Sequence, residues 1–66
     1  MDANEIRTQV KTVMDTFGMT AVKAAEVMDV PYGQFRKKVL EMPGRNFTEA
    51  NLTALIEYIK AEAAKL

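Results

Sequence analysis

The chain lacks two side chains on which much protein chemistry depends, because it contains no cysteine and no histidine. Without cysteine it has neither a disulfide framework nor a thiolate metal site. Without histidine it lacks the commonest metal ligand and the usual general base near neutral pH. The remaining residues form no paired-carboxylate, nucleophile–base or glycine-rich phosphate motif. We therefore expect a protein that is not an enzyme and that needs no metal and no cofactor.

Long apolar runs and net charge are also missing. No apolar run approaches the roughly 20 residues needed to cross a bilayer, and the first residues are not a basic segment followed by an apolar block. We expect no membrane association and a cytoplasmic location. With 66 residues the chain predicts one domain. A domain of this size buries only about 60% of its unfolded surface, so pairing with a second copy would add stability.

Charge is distributed unevenly along this neutral chain. Nine Lys and Arg balance nine Asp and Glu overall, which argues against a non-specific nucleic-acid binder with bulk positive charge. Residues 1–30 and 47–66 each carry more carboxylates than cations. Between them, residues 31–46 set four cations against Glu41 alone: Arg36, Lys37, Lys38 and Arg45. The middle of the chain is therefore where phosphates would be neutralised.

The stretch Ala21–Leu40 predicts two short helices joined by a sharp turn at Met28–Asp29–Val30. Thr20 is a good N-cap for the first helix, and Gly18 suits the left-handed residue that closes the helix before it. Pro31 should open the second helix, since its missing N–H is idle in a first turn. An apolar stripe along the first helix comprises Val22, Ala25, Val27, Met28 and Val30, and in the second Phe35 and Val39 face inward.

In their relative places, Ala25, Val30, Phe35 and Val39 resemble the helix-turn-helix of Cro and phage repressor proteins, the lambda-repressor-like class. Two positions depart from that pattern. Asp29 stands where the class usually has glycine, although Asp tolerates the left-handed conformation. Lys38 stands where an apolar residue is common, so its stem would have to be buried while its ammonium reaches solvent or a phosphate.

The resemblance implies a transcriptional regulator of the repressor type that binds a specific site on double-stranded DNA. Helix 31–40 would enter the major groove. Gln34 would pair with adenine and Lys37 with guanine, while Tyr32 would contact a thymine methyl or a phosphate. Gly33 would let the backbone approach closely. Phosphate contacts are assigned to Arg36, Lys38, and Thr20 or Lys23.

The segments on either side of this motif are predicted to have a structural role. The whole chain predicts an all-α domain of four or five helices. A first helix, capped by Asp2 or Asn4, carries an inward stripe of Ile6, Val10, Val13, Met14 and Phe17. A last helix over 48–65 follows the Thr48 cap, with Phe47 and Leu52 as a hydrophobic staple. The Pro43–Gly44 pair predicts a turn, not a β-hairpin wing. Beside it, Arg45 and Asn46 would either contact phosphates or belong to a plain surface turn.

Other partners are also compatible with this sequence. The apolar surface of the last helix extends beyond the expected core. The residues there favour either a homodimer contact or simple packing: Tyr58, Ile59, Ala63 and Leu66. An alternative interpretation of the cationic run on the second short helix is that it forms a solvated helix face and not a binding surface. A helical protein-interaction module, such as a phage-encoded inhibitor of a protein partner, is therefore the second hypothesis. An excisionase-like architectural protein is a third, but it would normally bring a wing.

Overall fold

The described residues of this all-α domain form four helices. A computed structural model describes residues 1–40, 42 and 44–66. Its helices are α1 (Ala3–Phe17), α2 (Ala21–Met28), α3 (Tyr32–Val39) and α4 (Glu49–Ala63). The described residues include no strand. Within the same residues, no helix combines the length and the apolar character needed to cross a membrane.

Three of these helices begin at a side-chain cap. The Asp2 carboxylate accepts from the Glu5 N–H at 2.8 Å, and the Thr20 hydroxyl oxygen accepts from the Lys23 N–H at 3.2 Å. At the start of α4, Thr48 and Asn51 form a reciprocal capping box. Each cap satisfies a donor that the first helical turn leaves unpaired. The predicted caps Asp2, Thr20 and Thr48 are thereby confirmed.

The ends of α1 and α2 are closed by left-handed residues, as expected. Gly18 has φ 63°, and the next N–H, that of Met19, donates to the Met14 carbonyl at 2.8 Å. Asp29 has φ 58°, and the Val30 N–H donates to the Ala25 carbonyl at 3.0 Å. Both are Schellman closures. Asp29 thus occupies the position at which glycine is usual, and the turn forms around it.

The turn between α2 and α3 lies one residue later than predicted. Met28 remains helical because Asp29 takes the left-handed conformation, so the connection is Asp29–Val30–Pro31. Pro31 is the N-cap of α3 and not its first helical residue, since its ψ of 140° is extended. Its carbonyl accepts from the Phe35 N–H at 2.9 Å and so starts the helical ladder. The helix predicted over 31–40 accordingly spans Tyr32–Val39.

The core lies where α2 packs on α3 and α4 and where α1 packs on the same two helices. Phe35 of α3 is fully buried and meets Phe47 edge to face, with ring centroids 5.4 Å apart. Ala24 and Ala25 of α2 are also buried. The remaining buried apolar residues are Ile6, Val10, Met28, Leu52 and Leu55. This cluster fixes α3 from its inner side and leaves the opposite side free.

Two burial predictions are wrong. Val22 is 58% exposed and Phe17 is 60% exposed, although both lie on predicted apolar stripes. Val22 lies in the first turn of α2 and Phe17 is the last residue of α1, and neither belongs to the buried cluster. Conversely, Arg7 is only 8% exposed and donates to the side-chain carbonyl of Asn4. The stripe of α1 is therefore shorter than predicted at its end and includes a cation near its start.

The loop after α3 is described only in part, because Glu41 and Pro43 lie outside the described residues. Gly44 has φ 74°, which suits a turn residue without a side chain. The Arg45 N–H donates to the Met42 carbonyl at 3.0 Å, and the Met42 N–H donates to the Lys37 carbonyl at 3.2 Å. These bonds attach the loop directly to the last turn of α3.

Candidate nucleic-acid interface

The outward side of α3 is a continuous polar and cationic face. Phe35, fully buried, and Val39, half-buried, fix the inner side of this helix. Apart from the half-buried Lys38, the other residues of α3 are exposed. We call them the α3 face: Tyr32, Gly33, Gln34, Arg36 and Lys37. Buried and exposed positions thus divide α3 as the sequence predicted.

Within the described residues, no ion pair involves a cation of the α3 face. Among the described residues the ion pairs are Met1 with Glu49, Lys60 with Glu57 and Lys65 with Glu62. Neither Arg36 nor Lys37 takes part in one. Both lie in the last turn of α3, where the helix dipole favours positive charge. Their charges are therefore available to an external anion.

Gly33 is not required by the fold. Its φ lies outside the left-handed region, and a Cβ built on its backbone would meet no atom within 4 Å. By contrast, Gly18 and Gly44 have positive φ, which disfavours any other residue there. Glycine also lowers helix stability relative to alanine by up to about 1 kcal/mol. The open space at Gly33 faces outward, in the middle of the α3 face.

Lys38 lies between the core and the surface. The residue is half-buried, and its ammonium lies 6.0 Å from the centre of the Phe47 ring. The stem is buried as expected for a lysine at an apolar position, while the cation interacts with the ring face. Phe47 in turn packs on Phe35, so Lys38 adds to the contact between α3 and the start of α4.

Thr20 and Lys23 mark the start of α2. The Thr20 oxygen is used as the helix cap, and its residue is exposed. The Lys23 ammonium lies 5.1 Å from the centre of the Tyr58 ring of α4. This contact joins residues 35 positions apart in the chain, so no local sequence pattern could have indicated it. It directs Lys23 toward α4, away from the α3 face.

Arg45 and Asn46 are exposed in the loop that follows α3. They immediately precede Phe47, which is 2% exposed and anchored in the core. Together with the bond from Met42 to Lys37, this anchor holds the loop close to the cationic end of α3. The structure thus holds the predicted loop residues next to the last turn of α3, whereas Lys23 contacts Tyr58 of α4.

Among the described residues, no cluster of metal-binding side chains accompanies this face. In the part of the chain that is described, no three acidic side chains converge in a way that could hold a metal ion. In the same part, every buried side-chain nitrogen and oxygen has a hydrogen-bond partner. Comparison with family models, with curated proteins and with solved structures finds no match to this chain. The exposed surfaces of the domain are therefore the basis for its proposed function.

Proposed function

We propose that this protein binds a specific site on double-stranded DNA and regulates transcription, as a repressor-type protein resembling the Cro class. The observation that carries the proposal is the α3 face, in which Arg36 and Lys37 are exposed and unpaired within the described structure. A helix of this kind fits the major groove when its inner side is anchored and its outer side is polar. A cytoplasmic location and a non-catalytic role belong to the same proposal.

Base contacts fall to the exposed part of α3. Gln34 would bind the edge of adenine and Lys37 that of guanine, while Tyr32 would reach a thymine methyl or a phosphate. The open space at Gly33 supports close approach of the helix backbone to the DNA. The remaining predicted residues would contact phosphates and so set the position of the helix: Thr20, Lys23, Arg36, Lys38, Arg45 and Asn46.

The cation–π contacts of Lys23 and Lys38 are compatible with phosphate binding. A ring beneath an ammonium group does not neutralise its charge, and at exposed sites the interaction is worth only about 0.5–1 kcal/mol. Lys38 contacts Phe47, which lies two residues after the loop cation Arg45. Lys23 would have to leave Tyr58 or bind a phosphate that passes beside α4.

A homodimer completes the proposal. Phe17 and Met19 line one side of an apolar groove. The C-terminal half of α4 and the end of the chain after it line the other side, with Tyr58, Ile59, Ala63 and Leu66. We call this surface the α4 groove. Its charged neighbours Glu62 and Lys65 have opposite signs, which suits contact with an identical surface. Two copies joined in this way would bind two half-sites and raise the affinity of a weak monomer.

A helical protein-interaction module is the second candidate. Large apolar side chains remain exposed on and beside α3, including Leu40 at 64% and Tyr32 at 46%. Such residues fit an apolar partner surface as well as a thymine methyl. The two candidates differ in their response to salt, because phosphate contacts release counterions and apolar contacts do not.

Equilibrium binding to fluorescently labelled duplex DNA at several salt concentrations tests the proposal. The expected result is salt-sensitive binding whose log K falls by about 0.9 per phosphate neutralised for each tenfold rise in salt. Arg36→Gln and Lys37→Gln should each bind weakly. Lys60→Gln removes one positive charge from α4 and should bind normally. Absence of duplex binding at low salt, or equal loss in Lys60→Gln and the two α3 variants, would contradict the proposal.

A further inference from the structure

A groove on the side of the molecule next to the α3 face connects α1 with α3. Lys11, Met14 and Asp15 of α1 form one side of it. Phe35 and Val39 of α3 form the other side, and Ala21 lies at the start of α2 between them. Lys11 therefore borders α3, although it lies 25 positions before Arg36 in the sequence.

A second depression continues this groove onto the α3 face. It is lined by Ala21, Phe35 and Val39 again, together with Tyr32, Arg36 and Leu40. Because three lining residues are shared, the two depressions form one continuous surface around the start of α2. Lys11 lies toward one end of that surface and Arg36 toward the other.

Lys11 is exposed, and no ion pair involves it within the described residues. Asp15 is one turn further along α1, at the spacing that often pairs a lysine with a carboxylate, yet the two side chains form no bond here. A long flexible stem with a free ammonium can reach a neighbouring anion at small cost. Two unpaired cations, from α1 and α3, therefore border the same shallow surface.

We propose that the DNA-binding surface extends from α3 onto α1, with Lys11 as a further phosphate contact. This inference rests on the proposed function, because it assigns a residue to the same duplex. A strand whose backbone crosses the start of α2 would pass both Arg36 and Lys11. A lysine in that position neutralises phosphate charge without reading a base, so it raises affinity for every sequence equally.

The test is the binding of Lys11→Ala to a selected duplex and to a random duplex. Near 0.15 M salt, loss of one phosphate contact should weaken binding about fivefold and lower the salt slope by about 0.9. The factor should be the same for both duplexes. Lys60→Ala removes one positive charge at an exposed position on α4 and should leave both quantities unchanged. Asp15→Asn removes the carboxylate from the groove and should strengthen binding.

Each outcome separates the inference from the proposed function. If Lys11→Ala binds like wild type while Lys37→Ala binds weakly, α3 binds DNA and the inference about α1 is wrong. Equal weakening by Lys11→Ala and Lys60→Ala would reveal only a general effect of net charge, and it would also overturn the inference. If wild type shows no salt-sensitive duplex binding, the proposed function and the inference both fail. Circular dichroism of each variant verifies that the fold is intact.

Discussion

The α3 face and the C-terminal half of α4 are both exposed, but their charges are arranged differently. On α4, Lys60 lies 3.9 Å from Glu57, and just beyond the end of the helix Lys65 lies 3.4 Å from Glu62. On α3, the adjacent cations Arg36 and Lys37 have no carboxylate partner in the described structure. Surface pairs contribute little to stability, but they do reduce the attraction of an external polyanion. The two surfaces are therefore alike in being exposed but differ in their balance of local charge.

The two regions also differ in the burial of a phenylalanine side chain. Phe35 of α3 is fully buried and holds the helix in place. Phe17, at the edge of the α4 groove, is largely exposed. We conclude that α3 is a rigidly anchored helix with a polar outer face, which suits DNA, and that the α4 groove suits an apolar partner.

The largest expected effect concerns the two phenylalanines. Phe35→Ala should lower the free energy of unfolding by about 3–5 kcal/mol, because it leaves a cavity beside Phe47. Phe17→Ala should change it by no more than about 0.5 kcal/mol, since an exposed ring loses few contacts. Urea denaturation followed by circular dichroism measures both values. Similar losses in the two variants would show that α3 is no better anchored than the edge of the α4 groove.

Lys37→Ala should weaken binding to a selected duplex by about 1–3 kcal/mol while leaving the fold intact. Lys60→Ala provides the matched control, because it removes the same charge from the paired surface of α4. Binding isotherms for both variants, with melting temperatures, make the comparison. If Lys37→Ala binds like wild type, the assumed orientation of α3 in the groove is wrong.

Phe17→Gln should weaken self-association by about 1–2 kcal/mol, because the ring would be buried against the α4 groove of the partner copy. This substitution keeps the net charge, so a random duplex should bind each monomer as before. Sedimentation equilibrium over a range of concentrations measures the effect. A wild-type protein that remains monomeric at high concentration would eliminate the dimer and leave the DNA proposal standing.

Gly33→Ala should have the smallest effect on stability and the most specific effect on binding. The free energy of unfolding should rise by about 0.4–1 kcal/mol, because the backbone is helical and the added methyl group meets open space. DNA affinity should fall, since that methyl group would stand between α3 and the DNA. A variant that gains stability and binds DNA at full strength would show that the helix backbone does not approach the duplex.

Local chemistry made much of the fold predictable from the sequence. Asp2, Thr20 and Thr48 each carry a short oxygen-bearing side chain at a helix start, and the structure uses all three as caps. Gly18 and Asp29 were the best available residues for left-handed positions, and both adopt them. These features depend on neighbours within about five residues, which is why spacing and residue type were sufficient.

Features that depend on distant residues were not predictable in this way. Val22 and Phe17 belong to regular apolar stripes, yet both are more than half exposed. The contact between Lys23 and Tyr58 and the groove beside Lys11 depend on how α1, α2 and α4 are placed. A helical stripe indicates which side is apolar, but it does not indicate how far the neighbouring helices extend. For the candidate site, the sequence indicated the exposed residues of α3 but not the surface that joins them to α1.

The most direct test of the central claim is an NMR titration of the labelled protein with duplex DNA, which reports each backbone amide separately. The account predicts chemical-shift changes in α3, in the described part of the loop from Met42 to Asn46, and at the start of α2. It predicts little change over residues 59–66. Changes confined to α4, or no changes at low salt, would contradict the claim that the α3 face binds DNA.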